Sequence, residues 1–346
     1  MRSVLRSAGL AFASSAALLM AVTGTAYADS PGTPAASDVV GVGSDTTEYV
    51  VAKLAADYNV KSPAPTNKLF SYDATGSATI SLKPGCTAIT RPNGSSAGIS
   101  ALKADASHCI DFARSSRAKK TDGTESTLTF REFARDGLGV AVKASGSTVP
   151  STLTTLDLNN LYKAAAGTSA CNRTAYLPQA GSGTRATFLA FIGLTETTKG
   201  SCAKDTWDND GNAATPEVPV QEHDPAPIAN NTNALVPFSA GRKGAYSTVI
   251  FRNINDSVRP TGLAANATVK VDPVTGKVST ATNAVTIYDR PLFNVFRTAD
   301  LATGSAYKAR LDAAFSNLGW ICTNATAKAD IEAAGFRRSA NCGANS

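Results

Sequence analysis

Strands and helices alternate along this chain, which predicts an α/β protein. Its 346 residues are enough for two lobes, each with its own core. A third observation gives the fold a direction. At four places a short β-type run ends in a Gly/Ser/Thr turn from which a helix is expected to start. Ligands of α/β folds bind at the carboxyl ends of strands, so four such turns point to a ligand site.

The elements follow in order. Asp38-Val39-Val40-Gly41-Val42-Gly43 reads as a strand ending in glycines, and Ser44-Asp45-Thr46-Thr47 supplies helix-capping side chains. Val51, Leu54, Ala55 and Tyr58 then recur at helical spacing over residues 48–58. Leu69-Phe70-Ser71-Tyr72-Asp73 is a second strand, followed by a hairpin-like insertion around Cys86. Gly94-Ser95-Ser96-Ala97-Gly98 starts a helix, and Cys109-Ile110-Asp111-Phe112-Ala113 is a strand ending in Arg114-Ser115-Ser116-Arg117. The apolar run 137–142 predicts a strand that crosses to the second lobe, with a helix over 156–166. Thr174-Ala175-Tyr176-Leu177-Pro178 is a strand, and Gln179-Ala180-Gly181-Ser182-Gly183-Thr184 opens a helix over 185–191. Residues 207–228 read as an acidic, Pro-rich loop, and 236–250 as the passage back. A strand at 285–288 and helices over 306–316 and 326–334 close the chain.

A helix N-terminus presents unpaired N–H groups and the positive end of its dipole, and small hydroxyl residues let an anion come close. The four turns therefore predict an oxyanion site. One such turn alone is an ordinary helix cap; the recurrence carries the inference.

The N-terminus predicts export. Arg2 and Arg6 precede an apolar run over 8–22, and Ala26 and Ala28 stand where a signal peptidase reads, so 1–28 is expected to be removed. The apolar run is short for a membrane span, and no cysteine near the cleavage point would carry a lipid. A soluble protein of the periplasm or cell wall is expected, with a flexible leader over 29–37. All six cysteines follow the leader, with no C-x-x-C spacing, which suits disulfides in an oxidising compartment. The simplest pairing is sequential: Cys86–Cys109, Cys171–Cys202 and Cys322–Cys342, one of about 15 arrangements open to six cysteines.

The chain carries 33 basic and 27 acidic residues, two of the basic ones, Arg2 and Arg6, in the expected signal peptide. This mild excess suits a small anion. It comes with no basic run interleaved with aromatics, so nucleic acid is not an expected partner. Only two histidines, His108 and His223, are present, which argues against histidine-based metal or acid–base chemistry. No metal and no cofactor are expected.

These residues resemble the phosphate-binding proteins of high-affinity phosphate ABC transporters, within the type II periplasmic-binding superfamily. Gly181-Ser182-Gly183-Thr184 is similar to that family's second-lobe phosphate loop. Asp111-Phe112-Ala113-Arg114-Ser115-Ser116 is similar to its strand end, and Gly94-Ser95-Ser96-Ala97-Gly98 to its helix start. Gly41-Val42-Gly43-Ser44-Asp45-Thr46 stands in place of its first turn, and the blocks fall in family order. The resemblance implies two α/β lobes with a ligand cleft between them, hinge closure, inorganic phosphate or a similar oxyanion as ligand, and an ABC permease as partner. A monomer without catalytic activity is expected. By position, Ser95, Ser182, Gly183 and Thr184 become direct donors, and Asp45 or Thr46 lines the first turn. Ser44, Ser96 and Ser115 belong to the same turns.

The charge set departs from the family. Its strand-end carboxylate is Ser116 here, the acid before Ser-Gly-Thr is Ala180, and its preceding arginine falls at Pro178. Arg91, Arg117 and Arg185 are the candidates to restore positive charge, and Asp45 to accept a phosphate proton. A site with no acceptor would not discriminate phosphate from sulfate.

Other readings stay open. Gly94-Ser95-Ser96-Ala97-Gly98 fits G-x-S-x-G, with Ser96 as nucleophile and His223 as base. His223 lies in Glu222-His223-Asp224-Pro225, which reads as exposed loop, against that hydrolase. A wall or matrix protein that keeps the binding fold without transport is another. Asp208-Asn209-Asp210-Gly211 with Glu217 partly matches a calcium loop, although a solvated acidic loop reads better. The expected lobes are 38–140 plus 245–346, and 141–244.

Overall fold

The structure is a computed structural model that describes residues 29, 30 and 32–345. The expected signal peptide lies outside the described residues. Asp29 and Ser30 are not a loose leader: Asp29 accepts from Arg91 at 2.7 and 2.9 Å, and Ser30 pairs with Ser71.

The first lobe is built on parallel strands β1 (Val39–Gly43), β2 (Leu69–Ser71) and β3 (Phe112–Ser115). Helix α1 (Glu48–Asn59) follows β1, and α2 (Ser95–Ala104) precedes β3. Both faces of this sheet are buried, so β1 is apolar throughout and the other two strands turn polar only at their ends, at Ser71 and at Arg114-Ser115. Val39 and Phe112 pack with Val51, Leu54, Phe296 and Phe315 on one face. Val40, Val42 and Ala113 pack with Ile99, Leu102, Phe130 and Val295 on the other.

Two long strands join the lobes, β4 (Leu128–Lys143) and a late strand, Val285–Arg297, which pair antiparallel along most of their length. The sequence predicts only their apolar ends, because Arg135-Asp136-Gly137 and Asp289-Arg290-Pro291 interrupt the pattern in the middle. These charged stretches face each other where the chain passes between lobes. The core changes there as well: Phe133 and Ala134 belong to the first lobe's core, Leu138 and Val140 to the second.

In the second lobe α3 (Thr155–Lys163) begins with a capping box, Thr154 and Asp157 each taking the other's backbone N–H. Strand β5 (Thr174–Tyr176) leads to α4 (Gly183–Phe191). Strands β6 (Ala203–Lys204) and β7 (Ala234–Ser239) flank β5, and β7 pairs antiparallel with β4. The later strands β8 (Val249–Phe251), β9 (Thr268–Val271) and β10, the late strand Val285–Arg297, join the same sheet, as does Arg337–Arg338 beside β4. The main path of the sheet runs β2-β1-β3-β10-β4-β7-β5-β6.

The lobe boundaries differ from expectation. Val249, Phe251, Val271 and Ile287 pack with Val236 and Phe238, and Ile254 and Tyr288 with Val140, so 245–288 belongs to the second lobe. The return is near Arg290, not Ala245. The apolar residues at both ends of 236–250, Val236, Phe238, Val249 and Ile250, pack into the second lobe and do not cross. All three disulfides join sequential cysteines: Cys86–Cys109, Cys171–Cys202 and Cys322–Cys342. Each closes a loop of moderate length and contributes on the order of 3 kcal/mol by restricting the unfolded chain.

Candidate functional site

The four turns meet between the lobes. Helix α2 begins at Gly94, whose φ of 104° is a left-handed conformation that favours glycine. A side chain there would also strike the Gly181 carbonyl, 2.8 Å from the Cβ position. Ser96 N–H donates to that carbonyl at 3.0 Å, and Asn93 bonds Gln179 and Gln221. Gly183, the first residue of α4, faces Ser95 and Ser116 so closely that a Cβ would lie 2.2 and 2.4 Å from their hydroxyl oxygens. The lobes are closed on one another.

Hydroxyls gather at this closure. Ser44 Oγ donates to Ser116 Oγ at 3.2 Å, Ser95 Oγ lies 3.3 Å from Ser116 Oγ, and Ser116 N–H donates to Ser95 Oγ at 3.0 Å. Thr46 Oγ1 lies 3.3 Å from Thr184 Oγ1, across the cleft. All five hydroxyl residues are buried. Arg114 holds the first turn from behind, donating to the carbonyls of Gly43 and Ser44 and to Ser71 Oγ.

A carboxylate sits among these hydroxyls. Glu222 Oε1 accepts from Thr46 Oγ1 at 2.6 Å and Thr184 Oγ1 at 2.7 Å, with Ser116 Oγ at 3.5 Å. Burial alone would raise its pKa, but bonds from His223, Thr46 and Thr184 outweigh it and hold the carboxyl well below the usual range. Neither Glu222 nor His223 exposes any side chain, so the expected exposed loop is corrected at this point. His223 takes φ 64°, rare for a residue with a side chain. Ser239 N–H donates to its Nδ1 at 3.3 Å, which leaves the proton of the neutral ring on Nε2, 2.9 Å from Thr46 Oγ1. Burial lowers the His223 pKa, against the pull of Glu222, which favours the neutral ring.

Arg290 supplies the cation. Its Nη1 donates to Thr184 Oγ1 at 3.0 Å and to the Ser116 carbonyl at 3.3 Å. Its Nε and Nη2 bind Asp136 Oδ2 at 3.0 and 2.8 Å, while Asp136 Oδ1 accepts from Ser239 Oγ and Gly241 N–H. The junction of β4 and β10 thus fixes the cation directly behind Thr184.

The arginines expected from sequence lie elsewhere. Arg185 is spent on Glu196, Asp205 and the Pro178 carbonyl. Arg117 is paired with Glu125 and Ser96 Oγ, and Arg91 with Asp29 and the Asp73 carbonyl. Each is a carboxylate's partner outside the hydroxyl cluster. Asp45 is buried against Arg242, 3.4 Å away; burial pushes its carboxyl well up, against that arginine's pull. Ser115 Oγ turns to the Arg117 backbone, and Ser182 Oγ caps α4 by accepting from Arg185 N–H. Ser44, Thr46, Ser95, Ser116, Gly183 and Thr184 are therefore brought together. Arg91, Arg117, Arg185 and Ser115 are not.

Arg290, Asp136 and Glu222 were missed. For Asp136 and Arg290 the available signal was the charged breaks Arg135-Asp136 and Asp289-Arg290 beside apolar runs, which a buried pair would explain; Glu222 had no such signal. The hydrolase arrangement is not assembled: Ser96 Oγ accepts from Arg117, and His223 faces Thr46 with a protonated Nε2, which cannot take a hydroxyl proton. In the 206–217 loop, Asp208 and Asp210 accept from the backbone N–H groups of their own turn, and Glu217 pairs with Thr206. Among the described residues no group of three or more His, Cys, Asp or Glu is placed to hold a metal ion, and no helix is long and apolar enough to cross a membrane.

The fold is shared with solved structures. An ABC-type phosphate transport receptor from Vibrio cholerae aligns over 87% of this chain and 100% of its own, with TM-score 0.54 and 19% identity. A candidate phosphate ABC transporter substrate-binding protein with bound phosphate, from Clostridium perfringens, aligns over 87% and 99%, with TM-score 0.53 and 16% identity. No curated protein sequence matches the chain. Residues 28–296 match the family described as the PBP superfamily domain. With two α/β lobes closed on a cleft lined by helix N-termini, this chain belongs to the PBP superfamily and has the type II periplasmic-binding fold.

Proposed function

We propose that this protein captures a tetrahedral oxyanion, phosphate or sulfate, between its lobes, outside the cytoplasm and without chemistry, for uptake by an ABC permease. One observation carries the reading: hydroxyls from all four turns converge on one buried point that already holds a carboxylate. Neutral donors with Arg290 behind them suit a dehydrated anion, because fixed dipoles replace its water. The solved relatives named as phosphate receptors support the ligand class.

Ser116 stands at the strand end and donates a hydroxyl where a carboxylate would repel a fully ionised anion, so selectivity between the two anions is expected to be weak. Calorimetric titration should give heat with phosphate and with sulfate, at affinities within about tenfold of one another, a gap of about 1.4 kcal/mol. Heat from neither anion would overturn the reading and leave a binding fold kept as a scaffold.

A further inference from the structure

We propose that Glu222 is a tethered ligand of the chain's own cradle, a specificity-determining carboxylate that any captured oxyanion must displace. This rests on the oxyanion reading of the site. Thr46 and Thr184, one from each lobe, both donate to a single Glu222 oxygen, Oε1. The closed lobes therefore enclose an anion in the position where an external one would bridge them. The internal ligand is incompletely satisfied: Glu222 Oε2 is buried and has no hydrogen-bond partner. A tetrahedral anion presents four oxygens, so it can also accept from the first-turn N–H groups of α2 and α4, which a helix leaves without intrahelical partners.

The segment that carries Glu222 is suited to leaving. Val220 is pinned on both sides, by Asp205 O and Gln179 N–H. Gln221, which accepts from Asn93, comes next, then Glu222 and His223, and His223 holds its left-handed φ while bonded to Thr46 and Ser239. Withdrawal of Glu222 frees that residue to relax. A tethered group competes at an effective concentration on the order of millimolar or more. A monovalent carboxylate in solution has the same charge and oxygen count as the side chain it must displace, so it gains nothing. A dianion with four oxygens gains both charge and acceptors. Glu222 thereby sets a threshold that excludes small carboxylates and lowers the apparent affinity for the oxyanions that pass.

The test is calorimetry of the full chain, Glu222→Ala and Glu222→Gln with phosphate, sulfate and formate, with each variant's fold checked by its melting transition. Glu222→Ala should bind phosphate at least about tenfold more tightly than wild type, for an internal ligand that occupies the cradle most of the time. Glu222→Gln, which keeps the shape but loses the charge, should shift in the same direction and serves if the alanine variant does not fold. Affinity equal to or weaker than wild type would overturn the proposal. If no protein binds phosphate or sulfate, the oxyanion reading fails, and formate decides the proposal by itself. Heat from formate with Glu222→Ala and not with wild type would uphold it, and any other formate result would overturn it.

Discussion

Replacing Gly183 with alanine is expected to open the cleft and weaken oxyanion capture while both lobes stay folded. The added methyl would lie 2.2 Å from Ser95 Oγ and 2.4 Å from Ser116 Oγ, and 3.0 Å from Ser95 Cβ. Ser95 opens α2 and Ser116 follows β3; both are buried and bonded to each other, so turning their hydroxyls aside breaks those bonds, and moving the lobes apart relieves the contact. Overpacking of this kind costs roughly 1–3 kcal/mol, which lowers affinity by up to about a hundredfold. Within α4 the change is harmless, because alanine is the better helix former by about 1 kcal/mol in a helix interior. Small-angle scattering should show a larger radius of gyration for Gly183→Ala than for wild type without ligand. An unchanged radius together with unchanged phosphate affinity would show that the lobes do not depend on this contact.

The largest loss of stability is expected at the junction of β4 and β10. Asp136 and Arg290 are almost wholly buried and bonded through two nitrogens. Removing either partner strands a charge away from water, at a cost of about 3–5 kcal/mol. Arg290→Ala and Asp136→Ala should each lower the urea midpoint by that equivalent. Arg290→Met combined with Asp136→Asn should recover most of it, because asparagine still accepts from Ser239 Oγ and Gly241 N–H and no charge is left alone. Arg290→Met should in addition weaken oxyanion binding, since Thr184 loses the cation behind its hydroxyl. Single-variant losses below about 1 kcal/mol, the range of exposed pairs, would contradict a buried pair at the crossing.

What was legible in the sequence was local. Strand, small-residue turn and helix succeed one another within about ten residues, and the same few residues dictate both the backbone and the donors. Ser95 and Thr184, at the starts of α2 and α4, were legible this way; Ser116 was legible only as a strand end, since no helix follows it. The crossing was not legible, because it depends on two stretches about 150 residues apart. Each looks like a break in an apolar strand until Asp136 and Arg290 meet. The arginines failed for the opposite reason. Arg117 and Arg185 do sit beside the turns that line the cleft, but nothing nearby in sequence shows that Glu125 claims the first and that Glu196 and Asp205 claim the second. Glu222 reads as a solvated acid because its neighbours are Asp224, Pro225 and a hairpin of aspartates. Only the folded chain turns it inward against Thr46 and Thr184.

The central claim is that the hydroxyls around Glu222 form the oxyanion cradle. A crystal structure of this chain grown with phosphate tests it most directly. The expected result is a tetrahedral anion within hydrogen-bonding distance of Thr46, Ser116 and Thr184, with Arg290 behind it and Glu222 withdrawn. Phosphate bound elsewhere, with Glu222 still bonded to Thr46 and Thr184, would contradict it.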